Sequence, residues 1–173
     1  IGFEQPYAYI RQEIQTGPTE FRLFLIKLDT SGLAPPFGPS LSQRIMWNMS
    51  FPSDVNSLSN SQPDIGTAIE KGILVYYQFP VHGSSCAFNT TSGAVRWDHP
   101  IRWGEQKAQS IIAYQGRFYL ALANPPANQT MAFQAFDMTT GTQVWISDNT
   151  QYPWGDFWAY GAEAAYGMVY CGS

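Results

Sequence analysis

Residues 135–145 read Ala-Phe-Asp-Met-Thr-Thr-Gly-Thr-Gln-Val-Trp, and this stretch recurs in the chain. Residues 87–97 read Ala-Phe-Asn-Thr-Thr-Ser-Gly-Ala-Val-Arg-Trp, with the same order of Ala, Asp or Asn, Thr or Ser, Gly and Trp. A third, partial copy reads Leu-Asp-Thr-Ser-Gly at 28–32 and reaches its tryptophan at position 47 after a longer loop. The three tryptophans are 50 and 48 residues apart. Self-similarity at such a spacing predicts a repeat architecture.

Each copy predicts a β-hairpin with a tight turn. Apolar residues precede the turn, and the side-chain oxygen of Asp137 can accept hydrogen bonds from the turn's amides, with Thr140 contributing. Gly141 supplies the positive φ that closes such a turn, and residues 143–146 leave it as a β-prone run. A second repeated turn, X-Gly followed by an apolar run, supports the same unit. Its copies are Lys71-Gly72, Gln115-Gly116 and Tyr166-Gly167.

The repeated unit resembles the tryptophan-docking motif of the quinoprotein family, which includes pyrroloquinoline-quinone (PQQ) dehydrogenases and their non-enzymatic relatives. The residues that carry the resemblance are Ala87, Asn89, Gly93 and Trp97 in one copy, Ala135, Asp137, Thr140, Gly141 and Trp145 in the next, and Trp47 in the partial copy. The resemblance implies β-propeller blades of four antiparallel strands, in which each tryptophan packs against the turn of the neighbouring blade. We therefore expect all three tryptophans to be largely buried between blades.

The expected fold is all-β, a partial β-propeller of four-stranded antiparallel blades, with about three and a half blades in this chain. The predicted repeats are residues 1–52, 53–100 and 101–150, with the start of a fourth repeat at 151–173. Because a closed propeller has ~4–8 blades, we expect one incomplete propeller in residues 1–173, whose remaining blades belong to the same protein. Residues 5–10 are predicted to form an inner strand of the first repeat.

Composition separates the chain from several protein classes. Aromatic residues make up 16% and charged residues 13% of the sequence, against ~25% charged residues in an average soluble protein. Few charges together with many Tyr, Trp, Ser, Thr and Asn residues are typical of extracellular β-proteins. The net charge of −4 argues against a nucleic-acid partner, which would require a basic stripe. No window approaches the ~18 consecutive apolar residues of a membrane span.

Three Asn-X-Ser/Thr sequons favour a secreted or cell-surface location, and they mark candidate glycosylation sites at Asn48, Asn89 and Asn128. Asn128 lies in a Pro-containing loop that should be exposed, and Asn48 directly follows a docking tryptophan. Asn89 occupies the turn position that Asp137 fills in the next copy. A role in backbone hydrogen bonds is therefore favoured over a glycan at Asn89.

The two cysteines, Cys86 and Cys171, fall at different strand positions of non-adjacent repeats. A disulfide between them would have to cross a blade, which disulfide geometry does not readily allow. Both are therefore predicted to be buried, small apolar residues, and a bridge to a partner outside this sequence stays open.

The link at residues 152–160 is the strongest candidate for a binding surface. It is rich in aromatic residues, and a similar Trp-Gly-acid sequence occurs 51 residues earlier, at 103–105. In the related propellers such links cross one face, and planar rings beside acids can stack a sugar, a quinone or a peptide. The candidate ligand-face residues are Trp103, Trp154, Asp156, Trp158 and Glu163. A structural role, in which the rings hold the link against the propeller, is favoured over ligand binding.

An enzymatic function has weak support. As the resemblance implies, a quinoprotein dehydrogenase would need PQQ, a calcium site and, in many members, a vicinal cysteine pair. Calcium takes ~6–8 oxygen ligands at one point, whereas the acids here are scattered singly and no cysteines are adjacent. No catalytic residue, metal site or cofactor is therefore predicted. The predicted function is a secreted or cell-surface, non-catalytic scaffold that binds protein or glycan at its face; the alternative is a fragment of a PQQ- and calcium-dependent alcohol or sugar dehydrogenase.

Overall fold

The chain is built almost entirely of β-strands. The computed structural model describes residues 2–18, 21–32, 40–52, 65–78, 84–99, 107–123, 130–148, 150–151 and 162–171. Within these ranges the helical structure is limited to one 3₁₀ turn, Leu41–Arg44. The same ranges contain no helix of the length and apolar character that crossing a membrane would require.

The first sheet has four antiparallel strands in chain order. They are β1 (Gly2–Glu4), β2 (Tyr7–Gln15), β3 (Phe21–Asp29) and β4 (Ile45–Ser50). The inner strand predicted at residues 5–10 is wrong in its bounds, because a turn at Gln5-Pro6 divides that run and Tyr7 begins the second strand. Pro6 has no amide hydrogen for a strand ladder, so it suits the turn better than the strand interior.

The next two sheets repeat this antiparallel order. The second contains β5 (Ile65–Glu70), β6 (Ile73–Gln78), β7 (Ser84–Asn89) and β8 (Val95–His99). The third contains β9 (Lys107–Tyr114), β10 (Arg117–Ala123), β11 (Thr130–Asp137) and β12 (Gln143–Ile146), and the short β13 (Thr150–Gln151) also pairs with β11. A fourth sheet has two described strands, β14 (Ala162–Ala165) and β15 (Met168–Cys171).

The first two strands of the later sheets are joined by two-residue turns. In the turn of the second sheet, Lys71 and Gly72 have φ values of 49° and 75°, and the corresponding turns at 115–116 and 166–167 have the same signs. Positive φ at both central residues matches the right-handed twist of a hairpin, and glycine tolerates it best. The repeated X-Gly signal in the sequence therefore marks the first hairpin of each later sheet.

Successive sheets stack face to face in chain order. Their first strands neighbour one another, with β1 beside β5, β5 beside β9, and β9 beside β14. This arrangement of four-stranded antiparallel sheets around a line of first strands is that of a β-propeller. The structure confirms the predicted all-β fold, a partial β-propeller.

Alternation along the strands of the second sheet builds two separate cores. One side packs on the first sheet through Leu74, Tyr76, Cys86 and Phe88. The other side packs on the third sheet through Ile73, Val75, Ala87 and Trp97. Because successive strand side chains point to opposite faces, a strand buried on both faces reads as a continuous apolar run. This explains the unbroken run at 73–76 in the sequence.

Candidate functional site

The repeated turns between the third and fourth strands are the best-defined polar sites in the described part of the chain. We call residues 89–93 and 137–141 the docking turns. The Asn89 Oδ1 atom accepts hydrogen bonds from the amides of Thr91 (2.9 Å) and Ser92 (3.0 Å). The Gly93 amide bonds back to the Asn89 carbonyl at 2.8 Å, and Gly93 has a φ of 75°. The side chain of Asn89 thus holds the turn, and glycine closes it.

The second docking turn is built in the same way. The Asp137 Oδ1 atom accepts from the amides of Thr139 (2.8 Å) and Thr140 (2.9 Å), and the Thr140 hydroxyl lies 3.3 Å from the same oxygen. The Gly141 amide donates to the Asp137 carbonyl at 2.8 Å, with a Gly141 φ of 72°. Asn and Asp are therefore interchangeable at the first position, because only a side-chain oxygen acceptor is required.

Each docking turn is also tied to the first hairpin of its own sheet. The Thr90 amide donates to the Gly72 carbonyl at 2.9 Å, and the Met138 amide donates to the Gly116 carbonyl at 3.0 Å. These bonds fix the position of the residue that follows Asn89 or Asp137, which is Thr90 or Met138. The carbonyl group of that residue is left to receive a bond from outside the sheet.

A tryptophan of the preceding sheet supplies that bond. The Trp47 Nε1 atom donates to the Thr90 carbonyl at 3.1 Å, and the Trp97 Nε1 atom donates to the Met138 carbonyl at 2.9 Å. Trp97 is only 7% exposed, and its ring stacks on Phe118 of the third sheet with centroids 5.8 Å apart. A buried indole normally needs a partner for its N–H, and the next docking turn provides it.

Gly93 is required for space as well as for its positive φ. A Cβ atom at this position would lie 2.8 Å from Cδ2 of Trp47 and 2.7 Å from Cγ of Met49. Both distances are shorter than normal van der Waals contact, so the ring of Trp47 packs directly on the glycine. The glycine of the docking turn therefore serves the turn and the contact between sheets.

The alanines of the motif lie opposite the tryptophans across the third and fourth strands. Ala87 pairs with Trp97, and Ala135 pairs with Trp145. Cross-strand partners share one face of the sheet, so a small side chain leaves room there for the indole. In the first sheet this position belongs to Lys27, which pairs with Trp47.

Lys27 is a site residue that the sequence analysis missed. Its side chain is 6% exposed, and its Nζ atom donates to the Thr90 carbonyl at 2.7 Å. The ammonium group also lies 3.8 Å from the centroid of the Tyr7 ring, within the range of a cation–π contact. The Thr90 carbonyl thus accepts hydrogen bonds from both Lys27 and Trp47. Aligning the three copies would have shown a lysine where the others have alanine.

A second set of contacts between sheets uses the last residue of the first strand. The two carboxylate oxygens of Glu70 accept from the amides of Gln115 (3.0 Å) and Gly116 (2.5 Å) in the next sheet. At the corresponding position, the Tyr114 hydroxyl accepts from the Gly167 amide at 3.1 Å. Glu70 and Tyr114 share only the ability to accept a hydrogen bond, so no residue pattern marked them in the sequence.

Burial alters the titration of several groups in the core between the first two sheets. It raises the pKa of the Cys86 thiol well above its usual range, and the nearby Asp98 carboxylate adds to the effect. Burial likewise raises the pKa of Tyr76. The pKa of Tyr9 is raised by burial and, in addition, by the hydrogen bond that its hydroxyl donates to Glu4. Cys86 is free and fully buried, as predicted, and its protonated thiol is a packing group.

At the exposed turn of the first sheet, the pKa of Asp29 is held below its usual range by hydrogen bonds from Ser31.

Trp145 is the third tryptophan predicted to pack against a neighbouring sheet. Trp145 is partly buried, in the same range of exposure as Trp47, and its ring centroid lies 6.1 Å from that of Tyr119. The fourth sheet has two described strands, and no docking turn lies in its described part.

The candidate glycosylation and ligand-face residues are only partly described. Asn48 is exposed on β4, whereas Asn128 lies outside the described residues. Glu163 is exposed on β14, opposite Tyr170. The other candidates, Trp103, Trp154, Asp156 and Trp158, also lie outside the described residues. In the part of the chain that is described, no three His, Cys, Asp or Glu side chains come together as a metal-binding group.

Replacing Gly93 with alanine should destabilise the chain more than replacing Gly167. Both glycines have positive φ, 75° and 77°, so both variants carry the strain of the left-handed region, ~1–3 kcal/mol. Only at Gly93 does the new Cβ also meet Trp47 and Met49; nothing lies within 4 Å of a Cβ at Gly167. We expect an extra loss of about 1–3 kcal/mol for Gly93→Ala. Urea unfolding measures the difference, and equal losses would contradict the proposed packing.

Lys27 should tolerate loss of its charge better than reversal of its charge. Lys27→Met removes the ammonium but leaves the Thr90 carbonyl bonded to Trp47, so no polar group is orphaned, and we expect a change within about 1 kcal/mol. Lys27→Glu would bury a carboxylate beside that carbonyl, at a cost of about 3–5 kcal/mol. Arg22→Glu, at an exposed position on β3, is the control for charge reversal. Thermal melts measure all three; equal stability of the Met and Glu variants would contradict the described role.

No protein-family model and no curated protein matches the sequence. Among solved structures, a europium-containing methanol dehydrogenase matches with 15% identity and a TM-score of 0.46, covering 84% of this chain and 26% of the other. BamB from Moraxella catarrhalis matches with 13% identity and a TM-score of 0.48, covering 94% and 44%. The chain thus spans less than half the length of either protein. At these scores the likenesses carry no argument about family or activity, and the propeller architecture rests on the sheets and docking contacts.

Proposed function

We propose that the chain is a segment of a secreted or cell-surface β-propeller, built of quinoprotein-type repeats, that acts as a non-catalytic binding scaffold. Its proposed partners are the remaining blades of the same protein and a protein or glycan that binds at the propeller face. Nucleic acid is not among them, because the net charge is −4. The observation that carries the proposal is that the polar side chains of the repeats hydrogen-bond to the backbone of the fold itself.

The polar side chains that recur near the turns bond to the fold itself. Asn89 and Asp137 each hold the amides of their own docking turn. Both oxygens of Glu70 hold amides of the next sheet, and the ammonium group of Lys27 bonds to the Thr90 carbonyl. A catalytic group must be able to reach a substrate. Side chains engaged in this way favour a structural role for the repeats.

The extracellular location is proposed from the sequons and their surroundings. Asn48 is exposed on an edge strand, where a glycan can project into solvent. The Asn89 Oδ1 atom accepts two backbone bonds, and a modification of this amide would have to preserve that turn. We therefore propose glycans at Asn48 and Asn128 and none at Asn89.

The alternative function is a fragment of a PQQ- and calcium-dependent alcohol or sugar dehydrogenase. The described residues do not fit a calcium site, which needs ~6–8 converging oxygens. Asn89 Oδ1, Asp137 Oδ1 and both carboxylate oxygens of Glu70 are bonded to amides, and the exposed Glu163 lies on a sheet with two described strands.

The test uses the full-length protein recovered from the medium of secreting eukaryotic cells. Dye-linked oxidation of alcohols and sugars is measured with PQQ and calcium, separately and together. We expect no rate above the protein-free control; turnover that requires both additions would overturn the non-catalytic proposal. Enzymatic deglycosylation followed by peptide mass spectrometry should find glycans at Asn48 and Asn128, with Asn48→Gln as control. Finding all three sequons unmodified would overturn the extracellular proposal.

A further inference from the structure

Two polar side chains are buried without hydrogen-bond partners in the core between the second and third sheets. Ser85 on β7 is fully buried, and Gln134 on β11 is 6% exposed. The Ser85 Oγ and Gln134 Oε1 atoms have no partner among the described residues. We propose that these two atoms share one bound water molecule, which forms a buried hydration site between the sheets. The proposal goes beyond the binding scaffold, and it holds whether or not the protein is catalytic.

The strand registers place both side chains in the same core. Ser85 lies two residues before Ala87, whose side chain packs on the third sheet, so these two residues share a face of β7. Gln134 lies two residues before Phe136 and pairs with Leu120. Both of those apolar residues pack on the second sheet. Ser85 therefore faces the third sheet, and Gln134 faces the second.

The repeat gives each residue a counterpart in the core between the first and second sheets. Two residues before the strand partner of the docking tryptophan, Ser85 corresponds to Leu25. One residue before that partner, Gln134 corresponds to Cys86. Leu25 and Cys86 both belong to the core between the first two sheets. An apolar pair at these positions in one core is thus replaced by a polar pair in the next.

The polar pair occupies less space than its apolar counterpart. Serine and glutamine together have a smaller volume than leucine and cysteine, by a margin on the order of one water molecule, ~30 Å³ in the liquid. Protein interiors are close-packed, and a gap in a core loses van der Waals contacts. One water molecule beside Ser85 and Gln134 would restore the volume that Leu25 and Cys86 fill in the first core.

Water also has the hydrogen-bonding groups that the pair requires. The Gln134 Oε1 atom is an acceptor and needs a donor, whereas the Ser85 hydroxyl can donate or accept. One water molecule can donate to Gln134 and accept from Ser85. Two unpaired polar atoms in a core cost more free energy than the immobilisation of one water molecule, so the occupied site is favoured.

An ion would be a poor occupant of this site. Calcium binds ~6–8 oxygen ligands, whereas the described residues offer two uncharged side-chain oxygens here. An anion would be repelled by the carbonyl oxygen of Gln134. The class of ligand that fits is therefore a neutral molecule that both donates and accepts hydrogen bonds, and the space limits it to water.

A high-resolution crystal structure of the full-length protein tests the site directly. We expect one ordered water molecule that bonds to both Ser85 Oγ and Gln134 Oε1, with oxygen–oxygen distances of ~2.7–3.0 Å. Its temperature factor should be close to those of the surrounding core atoms, because the two sheets enclose it.

Urea unfolding of paired variants of the full-length protein tests whether the two groups act together. Ser85→Ala and Gln134→Met remove the polar atoms with little change of shape, so both variants should fold. Each single variant leaves one polar atom poorly satisfied, and we expect the equilibrium constant for folding to fall about tenfold. The double variant leaves neither atom, so its loss should also be about tenfold rather than a hundredfold.

Gln12→Met, at an exposed position on β2, is the matched control, and its effect should add to that of Ser85→Ala. Additive losses for Ser85→Ala and Gln134→Met would overturn the shared water molecule. So would a crystal structure in which Ser85 bonds directly to Gln134, or in which no single water molecule contacts both. Catalysis by the full-length protein would refute the non-catalytic function and leave the hydration site unaffected.

Discussion

The structure depends on one contact, the donation of a tryptophan indole N–H to a turn carbonyl of the following sheet. It occurs at Trp47 with Thr90 and at Trp97 with Met138. A neutral hydrogen bond contributes only ~0.5–1.5 kcal/mol net, and truncation of a buried aromatic ring costs ~3–5 kcal/mol. Ring burial is therefore the larger effect. The hydrogen bond fixes where the ring is buried, because an unsatisfied N–H in that core would be costly.

The constraint explains the motif position by position. Asp or Asn is needed to hold the turn, glycine to close it and to admit the ring, and alanine to leave space opposite the indole. The first sheet departs from this set at Lys27, and the departure is accommodated by a charged hydrogen bond to the same carbonyl. Aromatic rings meet at both contacts: Phe51, which follows β4, packs against Tyr76 and Phe88 of the second sheet, and Trp97 stacks on Phe118 of the third.

The sequence predicted features that depend on local chemistry. Turn-forming side chains, positive-φ glycines and the period of the tryptophans all act over a few residues or repeat along the chain, so the fold class and the docking turns could be inferred. The roles of Glu70 and Tyr114 could not, since any acceptor at that position can bond the next turn. Trp145 has no docking turn beside it among the described residues, so its contact with a neighbouring sheet stays a prediction. The bounds of the strand predicted at residues 5–10 are wrong because Pro6 lies in a turn and the strand begins at Tyr7.

Hydrogen exchange of the tryptophan indole N–H groups, followed by NMR in the 173-residue chain, tests the central claim most directly. Protected N–H groups exchange only when the local structure opens. The account predicts slow exchange at Trp97, which is buried and bonded to Met138, and faster exchange at the half-buried Trp145. Trp97→Phe should remove the slow signal and identify it. A Trp97 indole that exchanges as fast as that of Trp145 would contradict the docking of one sheet on the turn of the next.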